Sequence, residues 1–298
     1  DYLGKAVTMY IEKTTVLSNS KVIGVATNDN LNNVIDNSAN AEETDDLLKG
    51  TGIDVDDSTN YYVNYGYCEN LADAIDVINE HANVDLANKN TDYFMLNGIP
   101  AEVIDNDNDG TAEYVLYTMK TLSLVRSYNT NQETVTLYDY VRDNRNVLQN
   151  QAESFSVDFE DMVTEDEIAT DDLVLYVQYG GRTYVELADT VTGTMTRVDR
   201  DEENELYITL DNGEEYRQSY IPETASKVDA DITHFDVTDA RNVPGFDDTY
   251  ELILDSEGYV AAVRPAEEIV TNYALVLDSA WTQNALSRQG QVKILMAD

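Results

Sequence analysis

Asp105, Asp107 and Asp109 alternate with Asn106 and Asn108, and Gly110, Thr111, Ala112 and Glu113 follow directly. Carboxylates at alternate positions, with a glycine to allow a sharp bend, let a short loop turn several oxygens toward one ion. Calcium accepts about six to eight such ligands. Asp105, Asp107, Asp109 and Glu113 are the candidate side-chain ligands, and Thr111 would add its carbonyl. The loop is not an EF-hand: where that motif closes with a bidentate Glu this chain has Leu116, and Val103-Ile104 and Tyr114-Val115-Leu116 read as strands. A solvated acidic turn that needs no ion is the competing reading of the same residues.

Other chemistry is sparse. Asp236, Asp239, Asp247 and Asp248 gather in a second acidic stretch, but the alternate spacing is lost and Pro244-Gly245 intervenes. The acidic runs at 165–172 and 199–205 read as solvated loops. The two histidines, His81 and His234, lie far apart, and there is no nucleophile elbow, P-loop, zinc-protease helix or dinucleotide fingerprint. A glycosidase needs only two carboxylates at a set separation, and 58 acidic residues could supply such a pair. Sugar-cleaving clefts stack rings on aromatic side chains, however, and Trp281 is the single tryptophan, while most tyrosines fall inside strand-like runs. No catalytic residue is assigned. Cys68 is the sole cysteine, so it closes no disulfide within the chain and reads as a small buried apolar residue.

The 58 acidic residues face 18 basic ones, a formal charge of -40. That charge repels phosphate backbones and anionic lipid, which excludes nucleic-acid partners. It also opposes compaction, and bound divalent cations, high salt or an elongated shape would relieve it. No apolar run is long enough to span a bilayer, so no membrane insertion is expected. The apolar share of 42% suffices for packed cores.

The elements that must position the acidic loop are strands. Runs of β-branched and aromatic residues recur at 7–11, 22–26, 114–117, 135–140, 173–177, 206–210 and 252–254. Tyr179-Gly180-Gly181, Asp211-Asn212-Gly213 and Ser256-Glu257-Gly258 supply hairpin turns between them. Leu71, Ala74, Ile75, Ile78 and Ala82 recur at helical spacing behind Asn70, which predicts one short helix with Asn70 as its N-cap.

The fold class expected is mainly β, with tandem antiparallel barrel or sandwich modules and a short helical insertion. Three ordered word matches suggest an internal repeat: 7–10 with 22–24 against 173–176 with 191–193, 93–98 against 207–213, and 114–125 against 251–263. They divide the chain into a module at 1–127 with an Asn/Asp-rich helical insertion at about 28–90, a second module at 128–270, and the start of a third, or an exchanged strand, at 271–298. Strand-like runs close to both ends lead to the expectation that the chain is part of a longer one.

The acidic loop is similar to the Asp-rich calcium hairpins of extracellular β proteins. More broadly, Leu3-Gly4-Lys5-Ala6-Val7-Thr8-Met9-Tyr10, Val103-Ile104-Asp105 and Leu252-Ile253-Leu254-Asp255-Ser256-Glu257-Gly258-Tyr259-Val260 resemble the repetitive β-rich regions of S-layer-homology-domain-containing surface proteins of clostridia-type Gram-positive bacteria. The resemblance covers most of the chain in style, on short degenerate words, and the anchoring S-layer-homology domain itself is not among them. It implies an extracellular, cell-surface, non-catalytic module of an S-layer, stalk or filament. Such a module associates with itself or with other modules of its parent, and reaches cell-wall polymer or carbohydrate through other domains. An adhesin module that binds carbohydrate or a host protein is the alternative, and high-salt adaptation is a second account of the acidity.

Overall fold

The computed structural model describes residues 7–12, 21–27, 31–35, 54–81, 96–105, 109–142, 148–200, 206–235, 248–266, 274–283 and 288–296. Two compact units divide the chain, Asp1–Pro265 and Ala266–Asp298.

Among the described residues the first unit holds five open sheets. β1 (Val7–Glu12) and β2 (Lys21–Thr27) form a hairpin. A five-stranded sheet joins β3 (Leu31–Ile35), β4 (Asn60–Val63), β5 (Gly66–Cys68), β6 (Ala101–Ile104) and β7 (Tyr114–Tyr117) in the order β3-β6-β7-β4-β5. Helix α1 (Leu71–Asn79) follows β5. β8 (Thr121–Leu124) lies at one edge of a four-stranded sheet with β12 (Met162–Val163), β13 (Leu173–Tyr179) and β14 (Arg182–Leu187), in the order β12-β14-β13-β8. β9 (Ser127–Asn129), β10 (Thr134–Arg142) and β11 (Leu148–Asp158) make a three-stranded meander. The largest sheet joins β15 (Thr190–Arg200), β16 (Leu206–Leu210), β17 (Glu215–Arg217), β18 (Thr233–His234), β19 (Thr249–Leu254) and β20 (Val260–Pro265) in the order β17-β16-β15-β19-β20-β18. The described residues of the second unit form a hairpin of β21 (Ala274–Gln283) and β22 (Arg288–Met296).

The protein is therefore mainly β with one short α-helix among the described residues. No sheet closes on itself among them, so the barrel form of the expectation gives way to stacked open sheets. Among the described residues the strands pair antiparallel except for β4 with β7 and β12 with β14, which run parallel.

The continuous apolar runs of the sequence reflect burial on both faces of a strand. In the five-stranded sheet Tyr61, Val103 and Val115 enter a central core, while Tyr62, Ile104 and Leu116 pack on Tyr10 and Ile23 of the β1–β2 hairpin. In the four-stranded sheet Leu173 and Leu175 face the central core, and Val174 and Tyr176 pack with Val135 and Leu137 of β10. Ala74, Ile75 and Ile78 of α1 enter the central core too, and Asn70 Oδ1 caps the helix by accepting from Asp73 N at 3.0 Å. Ala82, assigned to the same face, lies outside the described residues.

An eight-residue strap, 218–225, ties the layers together and is buried throughout. Ser219 N donates to Val260 O at 2.8 Å, Tyr220 N to Asn97 O at 2.9 Å, Leu122 N to Pro222 O at 2.9 Å, and Thr224 N back to Leu122 O at 2.9 Å. Tyr140 Oη reaches Glu223 O at 2.6 Å. One irregular segment thus contacts β20, the Leu96–Ile99 turn, β8 and β10, while Tyr220, Ile221 and Ala225 fill the central core.

The boundary expected near residue 127 lies inside the first unit: β8 pairs with β13 across it, and Leu122, Leu175 and Ile253 share one cluster. The matched words do not take equivalent places. β1 pairs with β2, whereas β13 pairs with β8 and β14 and leaves the run at 191 to β15 in another sheet. The run at 114–125 spans two strands with different partners, but that at 251–263 is the β19–β20 hairpin. The words share strand propensity rather than position in a repeated unit. Residues 93–95 of the second match lie outside the described residues.

The three expected glycine turns form, with Gly180 and Gly181 at φ 61 and 74, Gly213 at 88 and Gly258 at 86. The β4–β5 turn meets the same demand without glycine at its two centres, Asn64 (φ 47) and Tyr65 (φ 66). Asn64 Nδ2 donates to Met119 O at 2.9 Å and its Oδ1 accepts from Met119 N at 2.8 Å. The Tyr65 ring lies 4.3 Å from that of Tyr179, and such a pair is worth about 1 kcal/mol, comparable with the cost of the left-handed backbone. Asn64→Ala should lower stability by about 3 kcal/mol in urea unfolding, because the buried Met119 amide loses both partners. Asn64→Gly, which accepts the backbone angle, should lose about 1 kcal/mol less. Losses below about 1 kcal/mol for Asn64→Ala would show that the turn does not depend on these bonds.

Candidate metal site

The candidate ligands sit on the connection between β6 and β7. Ile104 pairs with Tyr114, and Glu113 N donates to Ile104 O at 3.0 Å, so the loop leaves and re-enters the sheet at neighbouring points. This closure brings the first and last acidic residues of the loop together. Asp105 is buried and its Oδ2 accepts from Gly110 N at 3.0 Å; Asp109 is exposed and its Oδ1 accepts from Thr111 N at 2.8 Å. Gly110 takes φ 93, the conformation that glycine tolerates and that turns the chain back toward Asp105.

One carboxylate oxygen each from Asp105, Asp109 and Glu113 lies within 4.8 Å of the others. Calcium holds its oxygens at about 2.5 Å, so ligand oxygens around one ion are separated by at most about 5 Å. The spacing fits. Thr111 lies in the turn, bridged to Asp54 in parallel register. Asp107 lies outside the described residues.

The loop also rests on a distant segment that no sequence signal links to it. Asp54 N donates to Gly110 O and Ala112 N to Asp54 O, both at 2.8 Å. Thr59 Oγ1 donates to Ala112 O at 2.7 Å, and Asn60 gives its backbone N and Nδ2 to Glu113 O at 2.8 and 3.1 Å. The site is thereby held from both sides, by the β6–β7 closure and by the lead-in to β4. The one available signal was the turn-forming stretch Asp56-Asp57-Ser58-Thr59-Asn60 before a strand, and its parallel pairing to β7 is invisible at sequence level.

Asp236, Asp239 and Asp247 of the second acidic stretch lie outside the described residues, and Asp248 is exposed. A different acidic group is brought together after β11, where exposed Asp158, Glu160 and Asp161 meet the same spacing limit. Asp158 and Asp161 also line a cleft of about 440 Å³ with Ser156, Gln178, Tyr179 and Arg182. Beside it the Tyr179 ring stacks on Tyr184 and packs at a tilt against Tyr65, 4.3 Å from each. Burial pushes the Tyr65 hydroxyl up, with a further push from the Glu102 charge.

His81 Nδ1 lies 2.7 Å from Val77 O at the end of α1, a helix-terminating contact. His234 belongs to β18. Cys68 is buried, and burial pushes its thiol pKa up, away from the thiolate that nucleophilic chemistry requires. No protein-family model matches the chain, and no curated protein matches it.

The two aspartates differ in role, and measurements without any metal should separate them. In chelator, Asp105→Ala should lower stability by about 1 kcal/mol or more, since Gly110 N loses its acceptor at the buried base of the turn. Asp109→Ala, at an exposed position, should stay within about 0.5 kcal/mol of wild type. Equal losses in thermal or urea unfolding would contradict this assignment.

Proposed function

We propose that the chain is a non-catalytic structural module of an extracellular surface protein, stabilised by calcium at the β6–β7 loop and associating with copies of itself or with other modules. The observation that carries this reading is the set of three carboxylates within 4.8 Å on a loop fixed at both ends. On a chain of charge -40, a fixed divalent cation relieves repulsion both locally and overall. Asp107 and the carbonyl of Thr111 complete the proposed ligand set. The acidity and the similarity to S-layer-type surface regions support an extracellular site of action. No helix among the described residues is long and apolar enough to cross a membrane.

Two hairpins support association. Met9, Ile11 and Val22 on β1–β2 are 52%, 42% and 47% exposed, an uncovered apolar surface. Among the described residues the second unit is the two-stranded β21–β22 hairpin, and a two-stranded hairpin by itself is marginal in water. A second reading, an adhesin module for carbohydrate or protein, draws on the Tyr65–Tyr179–Tyr184 stack beside the cleft with Arg182 and Gln178. Tyr179 already packs against two rings, Tyr65 and Tyr184, each 4.3 Å away, which favours a packing role for the group.

Extracellular calcium modules have dissociation constants of about 10⁻⁴ to 10⁻³ M, so calcium at roughly fifty times that value should add about 2 kcal/mol. For a unit of this size the melting temperature should rise by roughly 5 °C. Magnesium should do less, because it demands a smaller octahedral shell. The double substitution Asp109→Ala, Glu113→Gln should abolish the calcium-specific rise. An equal rise in that variant, or with sodium at matched ionic strength, would reject the site. Sedimentation over a concentration series with calcium should show species larger than the monomer, and a strictly monomeric protein would reject self-association.

A further inference from the structure

Asparagine followed by glycine occurs twice in the chain, at Asn97-Gly98 and at Asn212-Gly213, and the fold treats the two pairs in opposite ways. Such a pair is chemically labile, because the next backbone nitrogen can reach the side-chain amide and glycine has no Cβ to hinder it. Asn97 is only 6% exposed, and its Nδ2 donates to Gln218 O at 3.0 Å. Gly98 is walled in: an added Cβ would stand 1.9 Å from Asp255 Oδ2 and 2.5 Å from Ser219 Oγ. Tyr220 N donates to Asn97 O at 2.9 Å and fixes this turn to the strap. The Asn97 amide is thereby held away from solvent base and water.

Asn212 lies at the tip of the β16–β17 hairpin, where residues 211–214 are all exposed. Gly213 takes φ 88, and a Cβ added there would meet nothing within 4 Å. The Asn212 side chain folds back over the turn. Its Oδ1 accepts from Glu214 N at 2.9 Å, closing a ring that contains the Gly213 nitrogen, and its Nδ2 donates to Tyr216 Oη at 3.3 Å. The Glu214 N–H thus already points at the oxygen on which negative charge gathers when the amide carbon is attacked. One bond opposes the attack: Gly213 N donates to Leu210 O at 3.0 Å and must open first. At an exposed hairpin tip such opening costs little.

We propose that Asn212 is a self-modification site, where the folded hairpin converts the side-chain amide to a carboxylate with water as co-reactant. The Gly213 nitrogen gives its proton to solvent base and bonds to Asn212 Cγ, while the carbonyl electron pair moves onto Oδ1 against the Glu214 N–H. Collapse breaks the Cγ–Nδ2 bond. The nitrogen leaves as ammonia, protonated from solvent, and a cyclic imide remains. Water then opens the imide: breaking the new bond from Gly213 N to Cγ gives aspartate, and breaking the original peptide bond gives isoaspartate. Overall the amide and a water become a carboxylate and an ammonium ion, with no oxidation or reduction. Either product adds negative charge to a chain already at -40. Isoaspartate also lengthens the backbone between Leu210 and Glu214, whose bond from Leu210 N to Glu214 O at 3.2 Å closes the hairpin, and so loosens β17 at the edge of its sheet.

The two pairs provide an internal comparison for the test. The full chain is incubated in mildly alkaline buffer, folded or in urea, and peptide mapping by mass spectrometry follows the mass gain of amide-to-acid conversion at each asparagine. In urea Asn97 and Asn212 share the same following residue and should convert at comparable rates. In the folded protein Asn97 should fall at least about tenfold behind, because its reaction requires opening the core and that of Asn212 only a hairpin tip. Conversion of Asn97 as fast as Asn212 in the folded protein would overturn the proposal. So would a folded Asn212 that stays intact over the time in which the unfolded chain converts fully.

Discussion

The fold of residues 1–265 depends on burying the backbone of one irregular segment. The strap at 218–225 belongs to no named strand, so its amides and carbonyls lack a regular ladder. Left unpaired inside the core, each such group would cost about 1 to 3 kcal/mol. They are instead met by Val260, Asn97, Leu122 and Tyr140, which belong to three different sheets and a turn. The bonds that satisfy the strap are thus the bonds that fix the sheets in relation to one another. This explains why one core includes Tyr61, Leu175 and Ile253, residues that a division near 127 would assign to separate modules.

The same arrangement positions the acidic loop. The five-stranded sheet is clamped between the β1–β2 hairpin and the central core, so β6 and β7 cannot slide and the loop between them has fixed ends. The parallel pairing of β4 with β7 then brings the 54–60 segment against the loop from the other side. Asp105, Asp109 and Glu113 are thereby held on backbone that is bonded from both sides, and under the proposed reading a cation among them would relieve part of the repulsion on a chain with a charge of -40. Buried carboxylates such as Asp255 and Glu223 are held instead by hydroxyl and amide donors.

Features governed by neighbouring residues could be read directly from the sequence. Asn70 caps α1 because its side chain reaches Asp73 three positions on, and Gly180, Gly213 and Gly258 mark hairpins because the turn itself requires a positive φ. Asp105, Asp109 and Glu113 were legible as a group because one short loop carries them all. What could not be read depends on distant contacts. Gln218-Ser219-Tyr220-Ile221-Pro222 looks like an ordinary loop, and only the burial supplied by three sheets makes it central. Tyr65 at φ 66 defies the turn code because Tyr179, more than a hundred residues away, offers its ring. The apparent repeat failed for the same reason: strand words record local propensity, while partner choice is settled across the whole unit.

The central claim, that the strap makes the described sheets of the first unit one cooperative body, is most directly tested by native-state hydrogen exchange at increasing urea. The amides of Val115, Val174, Ser219, Tyr220, Thr224 and Leu254 should converge on a single unfolding free energy and a single urea dependence. Two families of amides, one from residues before 127 and one from residues after it, converging on different free energies would contradict the account.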